Sequence, residues 1–182
     1  ATGYDYGFEP SVVAHEFTHG ITRYTANLAY VNESGALNES YSDIFGIVYQ
    51  AAMLDGGSTD WIEGNFIPNT LELTRSFNSP SSRGVHWSGA YQVDGSGNYV
   101  LDQYGNYIPI YVLGQPSSYN GSNWCSNCPS TGIDKVDAGG VHINSGVQNR
   151  WFYLLSVGDN GLNIQGIGMT KSANISYRAI NT

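Results

Sequence analysis

The stretch PSVVAHEFTHGITRYTANL, residues 10–28, decides how the rest of the chain is read. Pro10 suits the first turn of a helix, where its missing N–H costs nothing, and the residues after it have good helical content. On such a helix His15 and His19 are four residues apart, about 400° of rotation and about 6 Å of rise, so both imidazoles leave one face and can reach one ion. Glu16 follows the first of them and lies beside that point, where it can take a proton from a metal-activated water. Zn²⁺ accepts neutral His nitrogen, and a catalytic site needs a third protein ligand while leaving a position for water. Two His so spaced around a Glu arise by chance in roughly one chain of this size in a few hundred. The motif therefore needs support from elsewhere in the sequence.

That support comes from NESYSDIFGIVYQAAML, residues 38–54, which reads as a second helix with Ile44, Ile47, Val48 and Ala51 on one face. Glu39 and Asp43 are again four apart. One carboxylate can complete a metal site and the other can accept the free ring N–H of a ligand histidine, which fixes its tautomer. Standing alone, the same pair would read as two acids near a helix start, stabilised by the macrodipole. Residues 29–36 carry Asn, Ser and Gly and read as a connection between the two helices.

Composition narrows the function classes. The chain has 182 residues, 41% apolar and 12% charged, which fits one domain or one lobe with a core. Seven basic against fifteen acidic residues give a formal charge of −8, and none of the basic residues cluster. Nucleic acid and anionic membranes are therefore not expected partners. No apolar run reaches the ~18 residues of a membrane span. Cys125 and Cys128 lack neighbours for a zinc knuckle and read as a local disulfide or as two thiols.

Residues 58–124 read as mostly irregular. Within them VDGSGNYVLDQYGNYIPIYVL, residues 93–113, alternates around two Gly-Asn turns and suggests a short β-meander, its GNYV/GNYI echo too short for a repeat architecture. A third helix is expected from about Asn144 and a fourth from about Thr170. The fold class expected is mainly α, with an irregular loop and a short β-hairpin insertion.

HEFTH, then NESYSDIFG, then GGVHINSGVQNRWFYLL from Gly139 together resemble the thermolysin-like family of zinc metallopeptidases. The resemblance covers most of residues 10–55 and 136–158. It implies an α-helical zincin lobe belonging to an α+β two-lobe enzyme, a secreted endopeptidase with one catalytic Zn²⁺ that cuts on the amino side of hydrophobic residues. It implies His15, His19 and Glu39 as zinc ligands and Glu16 as general base. Asp43 then holds the first histidine and Asn38 is an outer polar residue. His142 and Tyr30 stabilise the oxyanion, and Asp137 orients His142. Arg75 resembles the arginine that binds the substrate carbonyl beside the scissile bond, and Val12 is placed to line the pocket for the apolar side chain.

Three departures from the family pattern carry further expectations. Ser11 and Gln50 stand where calcium-binding acids would be expected, so a double Ca²⁺ site is expected to be lost, although Asp55, Asp60 and Glu63 could hold one ion. The stretch from Arg75 to Asp137 is long, and residues 76–136 are expected to form an inserted loop and hairpin excursion. The chain is also short at both ends, so residues 1–182 are expected to be a single zinc-site lobe. Its partners are then a peptide or protein substrate and the missing N-terminal lobe of the same enzyme. The competing reading is a zinc-stabilised lobe or binding module that is inactive without that half.

Overall fold

The computed structural model describes residues 6–54, 57–65, 74–126, 128–131 and 136–181, with backbone alone at 6, 85–90 and 109–113. Helix α1 spans Pro10–Tyr24, with proline in its first turn and the Glu9 carboxylate accepting from Ser11 N at the cap. Its buried face is polar: Ser11, His15, Thr18 and Thr22 point at the protein, spaced four, three and four residues apart. The stripe meets different partners: Ser11 Oγ donates to Glu9, Thr18 Oγ1 donates to Ala14 O one turn back, His15 reaches Asp43 of the next helix, and Thr22 Oγ1 has no hydrogen-bond partner among the described residues.

Helix α2 spans Asn32–Met53 and so begins six residues before the sequence cues suggested. The Asn-Glu-Ser-Gly run, which read as a connection, forms its first turns. Tertiary packing overrides propensity there: a Cβ on Gly35 would meet Val141 Cγ1 at 2.3 Å, so glycine is what lets the helix pack so closely. Further along, a Cβ on Gly46 would come within 2.7 Å of Ser11 O, and the two helices cross at that point. Ile44 and Ile47 of α2 are fully buried with Phe77 and Phe152, and Val48, Trp61, Tyr153 and Met169 pack around them.

The C-terminal part holds α3 (Asp137–Asn144), α4 (Gly146–Val157) and α5 (Met169–Ile180). The start of α3 is not helical in its dihedrals. Asp137, Ala138, Gly139 and Gly140 all have φ between 48° and 92°, leaving one true turn around His142. That turn lies upstream of the expected start at Asn144, and left-handed residues carry no helical periodicity for sequence reading to detect.

Three antiparallel strand pairs complete the fold: β1 (Ile62–Glu63) with β2 (Arg75–Ser76), β3 (Val85–Tyr91) with β4 (Pro109–Leu113), and β5 (Gly158–Asp159) with β6 (Ile164–Gln165). The chain between β3 and β4 makes the same turn twice. Asp94 Oδ1 accepts from Ser96 N and Asn98 N, and Asp102 Oδ1 accepts from Tyr104 N and Asn106 N. Backbone bonds from Gln92 N to Ile108 O, Ile108 N to Val100 O and Val100 N to Gln92 O close a triangle. Tyr91, Tyr99 and Tyr107, eight residues apart, pack with ring centroids 5.0–6.2 Å from one another. The GNYV/GNYI echo thus marks one turn made twice, eight residues apart. Cys125 and Cys128 form a disulfide.

Candidate metal centre

Successive turns of α1 bring the two histidines to one place, and α2 lies directly against them. His15 Nε2 and His19 Nε2 are 3.0 Å apart. Glu39 places Oε2 3.5 Å from the first and Oε1 3.4 Å from the second. Four ligands about 2.05 Å from a tetrahedral zinc ion lie roughly 3.3 Å from one another, so the three separations fit such an ion. Glu39 is fully buried, and its Oε2 has no hydrogen-bond partner among the described residues. A buried carboxylate oxygen without a donor is costly unless something cationic faces it. On this observation the residues fit a metal ion.

Behind the pocket the far side of each imidazole is held. His15 Nδ1 lies 2.8 Å from Asp43 Oδ1, and His19 Nδ1 lies 2.7 Å from Asn38 Oδ1 and 3.1 Å from Ser42 Oγ. These contacts turn both Nε2 atoms towards the common point. Asp43 is itself enclosed. Arg75 donates to it through Nε and Nη2 at 2.6–2.9 Å, and Asn149 Nδ2 donates at 2.7 Å while accepting from Ser40 Oγ. Arg75 also reaches Glu63 at 3.2 Å.

Across the cavity, Tyr30 donates a short hydrogen bond to Glu39 Oε1 and lies 3.2 Å from His142 Nε2. Asp137 grips His142 three ways: Oδ1 is 2.5 Å from Nδ1, and Oδ2 accepts from the backbone N–H of His142 and of Ile143. Glu16 is exposed and lines the same cavity of about 390 Å³ with His15, His19, Tyr30, Glu39 and His142. Val12 and Arg75 are not on that wall: Val12 lies a turn ahead of Glu16, and Arg75 lies behind His15. The possible calcium ligands have separate partners. Asp60 accepts from Ile62 N and Asn65, while Glu63 turns in to Arg75; Asp55 lies outside the described residues. Ser11 Oγ, where an acid was expected, donates to Glu9 and accepts from Gly64 N.

The electrostatics describe a negative cage. Burial disfavours charge on His15, yet the nearby Asp43 and Glu39 carboxylates outweigh it and push its pKa up to about 10. Burial likewise penalises Glu39, but His15 beside it and the His142 and Arg75 charges pull it down to about 2. Asp43 stays below the usual carboxylate range because Arg75 and His15 overcome its burial. Burial pushes Glu63 up to about 7 against the pull of Arg75. Without a cation, a proton on His15 takes the place that a divalent ion would fill. Burial opposes charge on His142 too, and Asp137 and Glu39 raise its pKa nonetheless. Burial and Glu39 both raise that of Tyr30.

Some residues of this arrangement escaped the sequence reading. Ser40 and Asn149 lie inside the quoted motifs, yet the motifs assign them no role, and only packing shows them buried, Asn149 between Gly146 and Phe152 on one face of α4. Ser42 had no assigned role and Glu63 read as a possible calcium ligand instead of a partner of Arg75, because their partners are distant in the chain.

A helical lobe with two histidines and a glutamate converging on one point defines a metal-site domain, and comparison gives the family. Residues 26–182 match the thermolysin metallopeptidase, alpha-helical domain, and the chain belongs to that family. It is 35% identical over 176 residues to a zinc metalloproteinase of Renibacterium salmoninarum, covering 92% of this chain and 26% of that protein. It is 37% identical over 176 residues to bacillolysin of Brevibacillus brevis, covering 93% of this chain and 24% of that protein. The precursor of protealysin from Serratia proteamaculans superposes with a TM-score of 0.58 at 27% identity, covering 97% of this chain and 46% of that one. The chain thus spans about a quarter of the length of those two relatives. No helix among the described residues is long and apolar enough to cross a membrane.

Proposed function

We propose that this lobe carries the zinc chemistry of an endopeptidase acting outside the cell on peptides or proteins, with cleavage on the amino side of hydrophobic residues. One observation carries the reading: His15, His19 and the unpartnered Glu39 Oε2 converge at tetrahedral spacings in a cavity that Glu16, Tyr30 and His142 also line. His15, His19 and Glu39 would hold the ion. Zinc bound there supplies Lewis acidity, which lets water give up a proton near neutral pH.

Glu16, exposed on the cavity wall, takes that proton as general base. Tyr30 and His142 point into the cavity from the other side and donate to the carbonyl oxygen as it gains negative charge. Asp137 holds the His142 ring so that Nε2 faces the cavity. Asp43 and Asn38 hold the two ligand rings. Arg75 uses Nε and Nη2 on Asp43 and Glu63, and we assign Nη1 to the substrate carbonyl beside the scissile bond. Val12 is assigned to the edge of the side-chain pocket. Residues 1–182 are read as one lobe, with 76–136 as an excursion beside the cleft, and an N-terminal lobe completes the substrate groove. Calcium dependence is read as weak.

Glu16→Gln tests the reading in the protein with the whole of its natural chain. Zinc content should stay near one ion per chain while turnover of a quenched peptide falls by three orders of magnitude or more. Retained turnover would remove Glu16 as the base. Zinc without turnover in the unaltered protein would favour a zinc-stabilised binding module.

A further inference from the structure

His142 stands at the very start of a helical stretch. The four residues before Val141 are left-handed, so no helix precedes the imidazole, while on the other side its turn runs through Ser145, itself helical at φ −57° and ψ −26°, into α4. With helix on one side only, tertiary ties are needed to hold the first turn. Asp137 supplies the tie on the N-terminal side, through the ring and two backbone N–H groups.

The tie on the other side is Gln115. Its side-chain Nε2 donates to the His142 carbonyl at 2.6 Å and lies 3.0 Å from Ser145 Oγ, which also donates to that carbonyl at 2.9 Å. Gln115 is 2% exposed, so both bonds are shielded from water. The fold is built around it. A Cβ on Gly146 would sit 2.6 Å from Gln115 Cβ and 2.8 Å from Pro116 O, so only glycine at that position admits the amide between α3 and α4. The backbone is fixed as well, by Gln115 N to Pro80 O at 2.9 Å and Gly114 N to Gly84 O at 2.6 Å. Gln115 therefore stands at the foot of the β3–β4 hairpin and connects that excursion to the turn that carries His142.

We propose that Gln115 is a positioning residue for His142, holding through its buried amide the first turn of the helical stretch that aims the imidazole at the reacting carbonyl. The proposal rests on the reading of His142 as an oxyanion donor. Gln115 touches no substrate and acts only through the His142 backbone. Loss of its donor leaves the Ser145 hydroxyl as the remaining side-chain contact on that carbonyl, and the turn can then rotate under the imidazole.

The test uses Gln115→Met, which keeps length and volume but not the donor, in the zinc-loaded protein with its whole natural chain. Expected are a loss in kcat on the order of ten-fold, KM within about two-fold of the unaltered protein, and unchanged zinc content. In a His142→Ala background the same substitution should change kcat by less than about two-fold, because the residue it acts through is gone. A second readout does not depend on turnover: the downfield proton resonance of His142 Nδ1–H against Asp137, assigned by its absence in His142→Ala, should shift or broaden in Gln115→Met. Gln115→Glu, of the same shape without the Nε2 donor, gives the same comparison if the methionine variant does not fold. An unmoved resonance with unchanged kcat overturns the proposal, as does a kcat loss that persists undiminished without His142. Absence of turnover in the unaltered protein would count against the peptidase reading, and the resonance would still decide the role of Gln115.

Discussion

The α1–α2 face and the excursion between β3 and β4 are both rich in polar side chains, but they satisfy them differently. Along α1 and α2 the partners come from far away in the chain: His15 meets Asp43, Asp43 meets Arg75 and Asn149, and His142 lies beside Tyr30. In the excursion they are local. Asp94 and Asp102 serve amide groups two and four residues ahead, and three exposed or half-buried tyrosines pack on one another. The first arrangement ties many elements into one network, and loss of any member leaves buried charge behind. The second is modular, and damage to it should stay where it is made.

The harshest way to test this contrast is Asp43→Ala. It removes the carboxylate beneath His15 and leaves part-buried Arg75 with Glu63 as its remaining acidic partner, so a destabilisation of about 3–5 kcal/mol is expected, read from urea unfolding. A loss below about 1 kcal/mol would mean that the network is not coupled.

Next in size is the pH dependence of the zinc-stripped protein. Glu39 and Asp43 have folded pKa values below their unfolded ones, so their contribution is complete above about pH 4.5 and declines as the pH falls towards 2. His15 is raised, so its contribution is complete below about pH 6.5 and is lost as the pH rises through about 10. Glu63, raised to about 7, contributes below about pH 4.5 and loses that contribution as the pH rises to 7, so stability should peak near pH 4.5. Added zinc should remove the alkaline decline, since the metal takes the place of the proton on neutral imidazole. An alkaline limb unmoved by zinc would separate His15 from the metal.

Two glycines refine the comparison at smaller scale. Gly46→Ala puts a Cβ 2.7 Å from the backbone oxygen of Ser11, where α1 and α2 cross, and should cost about 1–3 kcal/mol with a matching fall in Tm. Gly97→Ala meets no atom within 4 Å and is opposed only by its φ of 84°. It should cost about 1 kcal/mol, seen as faster amide exchange across residues 94–106, with the Tm of the helical lobe nearly unchanged. Equal effects at both sites would erase the distinction between network and module.

The helical class and the histidine pair were legible because both depend on local spacing, whereas the choice of Glu39 as the third member of the triad came from the resemblance. A Pro-led helix with His15 and His19 a turn apart, and a second helix with Glu39 and Asp43 a turn apart, fix which side chains share a face wherever the helices go. The same local logic placed the two Gly-Asn turns, although the part played by Asp94 and Asp102 and the packing of the three tyrosines became visible only in the structure. What depended on packing was not legible. The early start of α2 at Asn32 rests on Gly35 against Val141, and the left-handed approach to His142 on glycines whose Cβ atoms would strike Asn32 and Cys125.

On its own, then, the sequence determined which atoms could form a metal site, because helical periodicity is a property of the chain. Only the tertiary structure decided what holds those atoms in place. Asn149, Glu63 and Gln115 reach their partners across 106, 12 and 27 residues respectively, and contacts at that range follow from packing, which no local pattern encodes.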